Sequence, residues 1–434
     1  MATTRTIQSH ALVLATAACL MGCVTFAAAQ AGPPVKWVGS WVSSQQIPEP
    51  RNALDPADLR DATLRQIVHL TLGGKEVRVR LSNAFGTEPL HVTSAHIARP
   101  LSSSTGSVDV STDKALTFAG SPDVTIPAGA DYVSDPVAFP VAAFSNLAIS
   151  LYLETAPAQQ TSHPGSRQTS FLVHGNQVSS VDLLNAKQVD HWYQISGVDV
   201  TAPAQAASVV VLGDSITDGR GSTTNGNDRW PDNLARRFQA AAATRMLGVL
   251  NAGTGGNRLL QDGLGPSALA RFDRDVLAQA GVRTLIVLEG INDVGTLTAD
   301  HEVSPEEHQS LVLRMTGAYE QIVARGHAYG IRVIGATITP YMGNTGYHPT
   351  PVNEADRQAV NAWIRTPGHF DAVVDFDKIV RDPAHPDQLL PAYDSGDQLH
   401  PSPAGYRAMA DAVPLSLFSH APGAGHKARR SKAR

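Results

Sequence analysis

Only two cysteines, Cys19 and Cys23, occur in the 434 residues, and both lie in the opening segment. Disulfides are therefore excluded as the framework of everything after it. Positive charge is not in surplus either: 34 Lys and Arg against 39 Asp and Glu leave a net charge of −5. That balance removes the broad basic surface by which nucleic acid is held, so nucleic acid is not an expected partner. Clusters of His, Asp and Glu at metal-ligand spacing are missing, as is the lysine-bearing phosphate loop, so metal catalysis and phosphate cradling lose their usual support. With 42% hydrophobic and 17% charged residues the composition suits a soluble globular protein, and the length suits about two domains.

Long apolar runs are scarce too. The one from Ala11 to Phe26 follows Arg5 and leads into Ala27-Ala28-Ala29-Gln30-Ala31. A charged start, an apolar middle and a cleavage-like Ala-x-Ala make residues 1–31 an expected secretory signal peptide. The mature chain is then expected in the periplasm or outside the cell, without stable membrane insertion. A spanning helix fits less well, because the run is rich in small residues and Gly32-Pro33-Pro34 follows closely. Leu20-Met21-Gly22-Cys23 resembles a bacterial lipobox, and cleavage there leaves a lipoprotein anchored through Cys23. That alternative ranks second, since Val24 to Ala29 stays apolar where a polar tether belongs. At the other end, residues 419–434 form a Gly/Ala/Lys/Arg tail with no hydrophobic period. It reads as disordered and solvated, with contact to anionic surfaces as the alternative.

Between these ends the chain has two textures. Residues 35–200 read as short strands broken by turns. Leu64, Val68, Leu70 and Leu72 share one side of a period-two pattern, Gly73-Gly74 follows, and Val77, Val79 and Leu81 resume it, which predicts a β-hairpin. A similar alternation runs through Leu147, Ile149, Leu151 and Leu153. Short strands without long helices predict an all-β sandwich domain. Residues 205–418 instead alternate apolar runs at 208–212, 247–250, 284–288, 333–338 and 372–376 with helical stretches at 231–243, 304–324 and 354–364. Ser304-Pro305-Glu306-Glu307 marks a clean helix start, with Ser304 as N-cap and Glu307 completing a capping box. Strand and helix in alternation predict an α/β domain with a parallel sheet between helices.

In such a sheet, ligands gather beyond the carboxyl ends of the strands, so the loops after the apolar runs are the places to search. The first is Gly213-Asp214-Ser215-Ile216-Thr217-Asp218-Gly219, a serine on a tight turn entering a helix. Next come Asn251-Ala252-Gly253-Thr254-Gly255-Gly256-Asn257-Arg258, then Gly290-Ile291-Asn292-Asp293, and near the end Asp397-Gln398-Leu399-His400-Pro401. A serine hydroxyl is a weak nucleophile and needs a neutral imidazole to take its proton, while that imidazole needs an acceptor to hold its tautomer. A tetrahedral oxyanion needs preorganised donors, which a glycine N–H and an uncharged asparagine amide can supply. Singly, each residue has a plainer reading. Asn292-Asp293 can be a turn, Asp397 a cap, and His400 one of 16 histidines on a surface.

Together and in this order, the four blocks closely resemble the SGNH (GDSL-type) hydrolase family, across about half the chain. The resemblance implies a three-layer, flavodoxin-like catalytic domain that hydrolyses carboxylic esters through an acyl-serine, with no metal or organic cofactor. It implies Ser215 as nucleophile, His400 as general base and Asp397 as the acid that orients it. The N–H groups of Ser215 and Gly256 and the side-chain amide of Asn292 would form the oxyanion hole. Gly256 is preferred to Gly255 and Gly253 because the family's glycine directly precedes a polar residue, here Asn257. Asp394 is the rival acid, but its spacing from His400 departs from the family's. The family includes lipases, thioesterases and carbohydrate deacetylases, so the motif leaves the substrate open. Export and the appended sandwich favour short acyl esters of a carbohydrate. A lipid or small-molecule esterase comes next, and a noncatalytic carbohydrate-binding protein on the same fold is the reading from a different class.

The first half holds fewer signals. Residues 78–86 end a strand with polar groups that either reach the active-site mouth or close a turn, and turn chemistry favours the second. Trp37, Trp41 and Trp192 either stack on sugars or fill the sandwich, and filling is the default for tryptophan.

Overall fold

The computed structural model describes residues 34–299 and 301–418, so the segment expected to be a signal peptide, both cysteines and the basic tail lie outside the described residues. The N-terminal strands include Val35–Val42 (β1), Ala62–His69 (β2), Gly74–Ser82 (β3), Ser94–Pro100 (β4), Asn146–Leu153 (β5), Ser170–His174 (β6) and Ile195–Pro203 (β7). One antiparallel sheet runs β1–β7–β3. In a second, β2 lies between β6 and β5, with β4 beyond β5. Leu64 and Val68 of β2, Leu147, Ile149 and Leu151 of β5, Val77, Val79 and Leu81 of β3, and Val198 and Val200 of β7 meet in one core. All are fully buried, each stabilising the fold by about 1.5–3 kcal/mol relative to exposure.

The hairpin expected at Gly73-Gly74 does not form, because β2 and β3 belong to different sheets. A two-residue type I′ turn needs positive φ, and neither glycine has it. Glycine serves there through close approach instead. A Cβ on Gly73 would stand 2.7 Å from the Val141 carbonyl oxygen, and one on Gly74 2.6 Å from that of Thr201. The two alternating runs face one core from opposite walls, and a period of two cannot tell that arrangement from a hairpin.

The second region centres on Ala207–Gly213 (β8), Leu247–Gly253 (β9), Val282–Leu288 (β10), Arg332–Ala336 (β11) and Ala372–Val374 (β12). They form a five-stranded parallel sheet in the order β9-β8-β10-β11-β12. This is the flavodoxin-like doubly wound order, with its switch point between β8 and β10. The helices are Ser215–Asp218 (α1), Trp230–Ala240 (α2), Ala268–Phe272 (α3), Ile291–Leu297 (α4), Pro305–Ala328 (α5), Pro351–Arg365 (α6), Phe376–Val380 (α7) and Pro403–Ala412 (α8). Val209 to Leu212 are buried throughout, as a strand covered on both faces requires. Helix α5 starts where its capping box directs, with Ser304 Oγ accepting from Glu307 N and Glu307 accepting from Ser304 N. It buries Leu311, Met315, Ala318, Tyr319 and Ile322, the three-and-four spacing of one helical face.

The sandwich and the α/β region lie in one compact unit. Gly39 N of β1 donates to Ala280 O at 2.9 Å, and Val249 N of β9 donates to Thr71 Oγ1 at 3.0 Å. A Cβ on Gly39 would meet Leu250 Cδ1 at 2.7 Å, so the two regions touch at van der Waals distance where glycine permits it.

Candidate active site

Strand β8 ends at Gly213, and the chain turns through Asp214 into α1. Asp214 Oδ1 caps that helix by accepting from Ile216 N at 2.8 Å. A Cβ on Gly213 would lie 2.2 Å from Thr217 Oγ1, so the turn closes only around glycine. The helix stops at Gly219, whose φ of 104° few other residues adopt. Ser215 is thus the first residue of a single turn, and its N–H has no intrahelical acceptor.

His400 arrives from the loop that leads into α8. Ser215 Oγ lies 2.8 Å from His400 Nε2, and His400 Nδ1 lies 2.6 Å from Asp397 Oδ2. The second carboxylate oxygen, Asp397 Oδ1, accepts from Leu399 N at 3.0 Å and His400 N at 2.8 Å, which fixes the acid against its own loop. Burial works against charge on Asp397, but the bonds from the His400 ring and backbone outweigh it and hold the carboxyl well below its usual range. His400 is 5% exposed, and burial pulls its pKa down against the support of Asp397. Asp394 takes a different part. It accepts from Gln398 N at 3.0 Å and Gln398 Nε2 at 2.8 Å, and makes no bond to His400.

The remaining sequence candidates converge on the same cleft, of about 250 Å³, where Gly255, Gly256 and Asn292 stand with Ser215 and His400. Gly253 is set apart: it packs on α1, its N–H donates to Asn251 Oδ1 at 2.9 Å, and a Cβ there would strike Asp218 N at 2.3 Å. Gly256 has a φ of 66°, and a Cβ on it would press on Leu264 at 3.1 Å. Asn292 is the second residue of α4, just past β10, and does not sit in a turn. Its Nδ2 donates to Asn257 O at 2.7 Å, and its Oδ1 accepts from the Tyr347 hydroxyl.

Several supporting residues carry no sequence period or motif of their own. Tyr347 is one. Asp293 stood in the Asn292 block without a role, and its carboxylate accepts from Leu259 N at 2.8 Å and Leu260 N at 3.1 Å, tying the glycine loop to α4. The fully buried Arg271 of α3 gathers the strand ends behind the cleft. It donates to Gly213 O at 2.9 Å at the end of β8, Ala252 O at 2.6 Å on β9, Glu289 Oε1 at 3.1 Å past β10, and Ser44 Oγ at 3.0 Å from the sandwich. Burial, chiefly, pushes the carboxyls of Asp214 and Asp293 up to about 7 and about 6, and that of Glu289 well above its usual range.

The sandwich also walls the cleft, through residues the sequence did not single out: Gln46, Asn52 and the loop Pro164, Gly165 and Arg167. His163, next to that loop, places Nε2 2.9 Å from Asp218 Oδ1 at the end of α1 and Nδ1 2.7 Å from Ser44 O. Gly165 sits so close that a Cβ would overlap Asp218 Oδ2 at 1.7 Å. Within residues 78–86, Asn83 closes a turn, its Nδ2 donating to Glu88 O at 2.9 Å and to Ile126 O at 3.0 Å, whereas Arg78 and Arg80 pair with Asp199 of β7. Trp41 and Trp192 pack edge to face at 4.9 Å inside the sandwich, and Arg78 covers the Trp37 ring at 4.6 Å.

Residues 211–408 match the family model of the GDSL-like lipase/acylhydrolases. No curated protein matches the chain. Similar solved structures include a GDSL-like lipase from Bacteroides thetaiotaomicron VPI-5482, with 19% identity over 49% of this chain and 87% of that one and a TM-score of 0.35. An alpha/beta hydrolase enzyme from the metagenome of Lake Arreo, Spain, has 24% identity over 49% and 95% of the two chains, at a TM-score of 0.35. An acetyl xylan esterase from Geobacillus stearothermophilus has 22% identity over 49% and 94%, at a TM-score of 0.35. The matched segment runs from within β8 into α8 and holds Ser215, Gly256, Asn292, Asp397 and His400, so residues 211–408 are a GDSL-like lipase/acylhydrolase domain behind an all-β region.

Proposed function

We propose that this chain is an exported serine esterase that hydrolyses short acyl esters of carbohydrates through an acyl-serine intermediate. The carrying observation is the unbroken line from Ser215 Oγ through His400 to Asp397, with the Asn292 amide in the same cleft. Ser215 Oγ attacks the ester carbonyl carbon while its proton passes to His400 Nε2. The oxyanion is met by the N–H groups of Ser215 and Gly256 and by Asn292 Nδ2. As the tetrahedral intermediate collapses, the C–O bond to the alcohol breaks and His400 gives the leaving oxygen its proton. Water then attacks the acyl-serine with His400 again taking the proton, and the acid departs.

The walls support a small acyl group on a hydrophilic alcohol. Beyond the reacting residues they are mostly polar or charged, with Leu264, Leu399 and Pro164 as scattered apolar contacts. The leader-like residues 1–31 support export. Hydrolysis of nitrophenyl acetate by the wild type, and its abolition in Ser215→Ala with an unchanged circular dichroism spectrum, is the expected result. Near-wild-type turnover in that variant removes Ser215 as nucleophile. A nitrophenyl ester series that peaks at long chains, rather than at about two to four carbons, makes the enzyme a lipase instead.

A further inference from the structure

Three arginines line the cleft at Ser215: Arg51 and Arg167 from the sandwich, and Arg220 from the turn after α1. Their charges are poorly answered. Among the described residues, Arg167 and Arg51 make no side-chain hydrogen bond or ion pair, and Arg167 Nε is buried without a partner. Arg220 reaches Asp397 Oδ2 only at 3.9 Å, with 61% of its side chain exposed. The acidic groups nearby are already engaged. Asp218 is bonded to His163 and Asp397 to His400, while Glu49 accepts from Asn52 Nδ2 at 2.9 Å and Gln46 Nε2 at 3.4 Å.

Arg167 is also held in a costly backbone state. Its φ is 49°, a left-handed conformation in a side-chain-bearing residue, and its carbonyl accepts from Asn225 N at 2.9 Å. Such strain persists where the surroundings over-determine it, and it gathers at ligand sites. An unpaired guanidinium, positioned against strain in a polar cleft, is a fork lacking its oxyanion.

The side on which these arginines stand identifies the part of the substrate they meet. Arg220 Nε stands 3.9 Å from the Asp397 carboxylate behind His400, and Arg167 lines the same cleft as His400. His400 delivers its proton to the departing alcohol oxygen, so the alcohol portion leaves past them.

We infer that the alcohol portion of the substrate carries a carboxylate, as an acylated uronic acid does, and that Arg167 and Arg220 bind it while Arg51 attracts it from the rim. The inference rests on the esterase reading of the same site. It is tested with an O-acetylated methyl glucuronoside, the neutral methyl ester of its carboxyl group, and an O-acetylated methyl glucoside 6-phosphate, with acetate release as the readout. The wild type prefers the carboxylate to the neutral ester in kcat/KM by about tenfold or more, the worth of one charge-assisted hydrogen bond. Arg167→Met and Arg220→Met each bring that ratio down, Arg167→Lys restores part of it, and rising salt narrows it. Melting temperatures of the variants show that they are folded, and the ratio within each variant cancels any general loss of turnover. Equal rates on the charged and neutral sugars, in a preparation that hydrolyses nitrophenyl acetate, overturn the anion site alone. Preference for the phosphate overturns the carboxylate assignment. No hydrolysis of any ester overturns the esterase reading beneath it.

Discussion

The Tyr347 hydroxyl donates to Oδ1 of Asn292 and so decides which end of that amide faces Ser215. With Oδ1 held by Tyr347 and one Nδ2 hydrogen given to Asn257 O, the other Nδ2 hydrogen is left for the cleft. Tyr347→Phe keeps the ring against Gly295, where a Cβ would already crowd it at 2.5 Å, and removes only the bond. The expected result is a fall in kcat of roughly tenfold with KM little changed, less than the hundredfold or more that loss of a whole oxyanion donor costs. A larger change in KM than in kcat contradicts the positioning role.

Asp397 and Asp394 lie close in the chain and are separated by their bonds. Asp397→Ala leaves His400 Nδ1 without its acceptor, whereas Asp394→Ala loosens only the Gln398 turn. Turnover is expected to fall far more in the first, where loss of a triad acid has cost about ten-thousandfold in a serine protease. Thermal unfolding of both variants separates lost chemistry from lost fold, and the reverse ranking in well-folded protein moves the acid to Asp394.

Acid pH protonates the base. Burial, with Arg220 and Arg167 adding to it, lowers the pKa of His400 from its ordinary 6.5 despite Asp397. Since the neutral imidazole is the working form, kcat/KM rises with pH and its acid-limb midpoint lies below 6.5. Asp397, held lower still, stays ionised across that limb. Arg220→Met removes one lowering charge and moves the midpoint upward. A wild-type midpoint above that ordinary value contradicts the assignment.

His163→Ala takes the partner from Asp218, which is only 6% exposed. Breaking a buried pair from one side costs about 3 kcal/mol or more, so the melting temperature should drop and turnover with it, because Asp218 ends the helix that begins with Ser215. His163→Gln keeps a donor near Asp218 and should recover part of both. Unchanged melting in the alanine variant shows that the pair does not hold α1.

Much of this was legible from residue order. Apolar runs marked all five strands of the parallel sheet because a strand covered on both faces leaves a continuous hydrophobic stretch. Ser215, Asn292, Asp397 and His400 stood out only together, as four blocks placed after apolar runs in the order that resembles the SGNH family. The hairpin at Gly73-Gly74 misled because alternation reports which side of a strand is buried and says nothing of its neighbour. Arg271, Tyr347 and His163 were invisible for a related reason. Each acts on partners far along the chain, such as Ser44 for Arg271 and Asp218 for His163, and no local spacing encodes that meeting.

Arg271 donates to the ends of β8 and β9 and also to Ser44, while His163 reaches from the sandwich to α1. The all-β region is therefore no interchangeable carrier that could be swapped for an unrelated module. A hydrolase domain transplanted without it would lose one wall of its cleft and leave Asp218 facing solvent. Recombination between relatives should succeed only when the two regions travel together, and changes at Ser44 or His163 should be tolerated only alongside changes at Arg271 or Asp218.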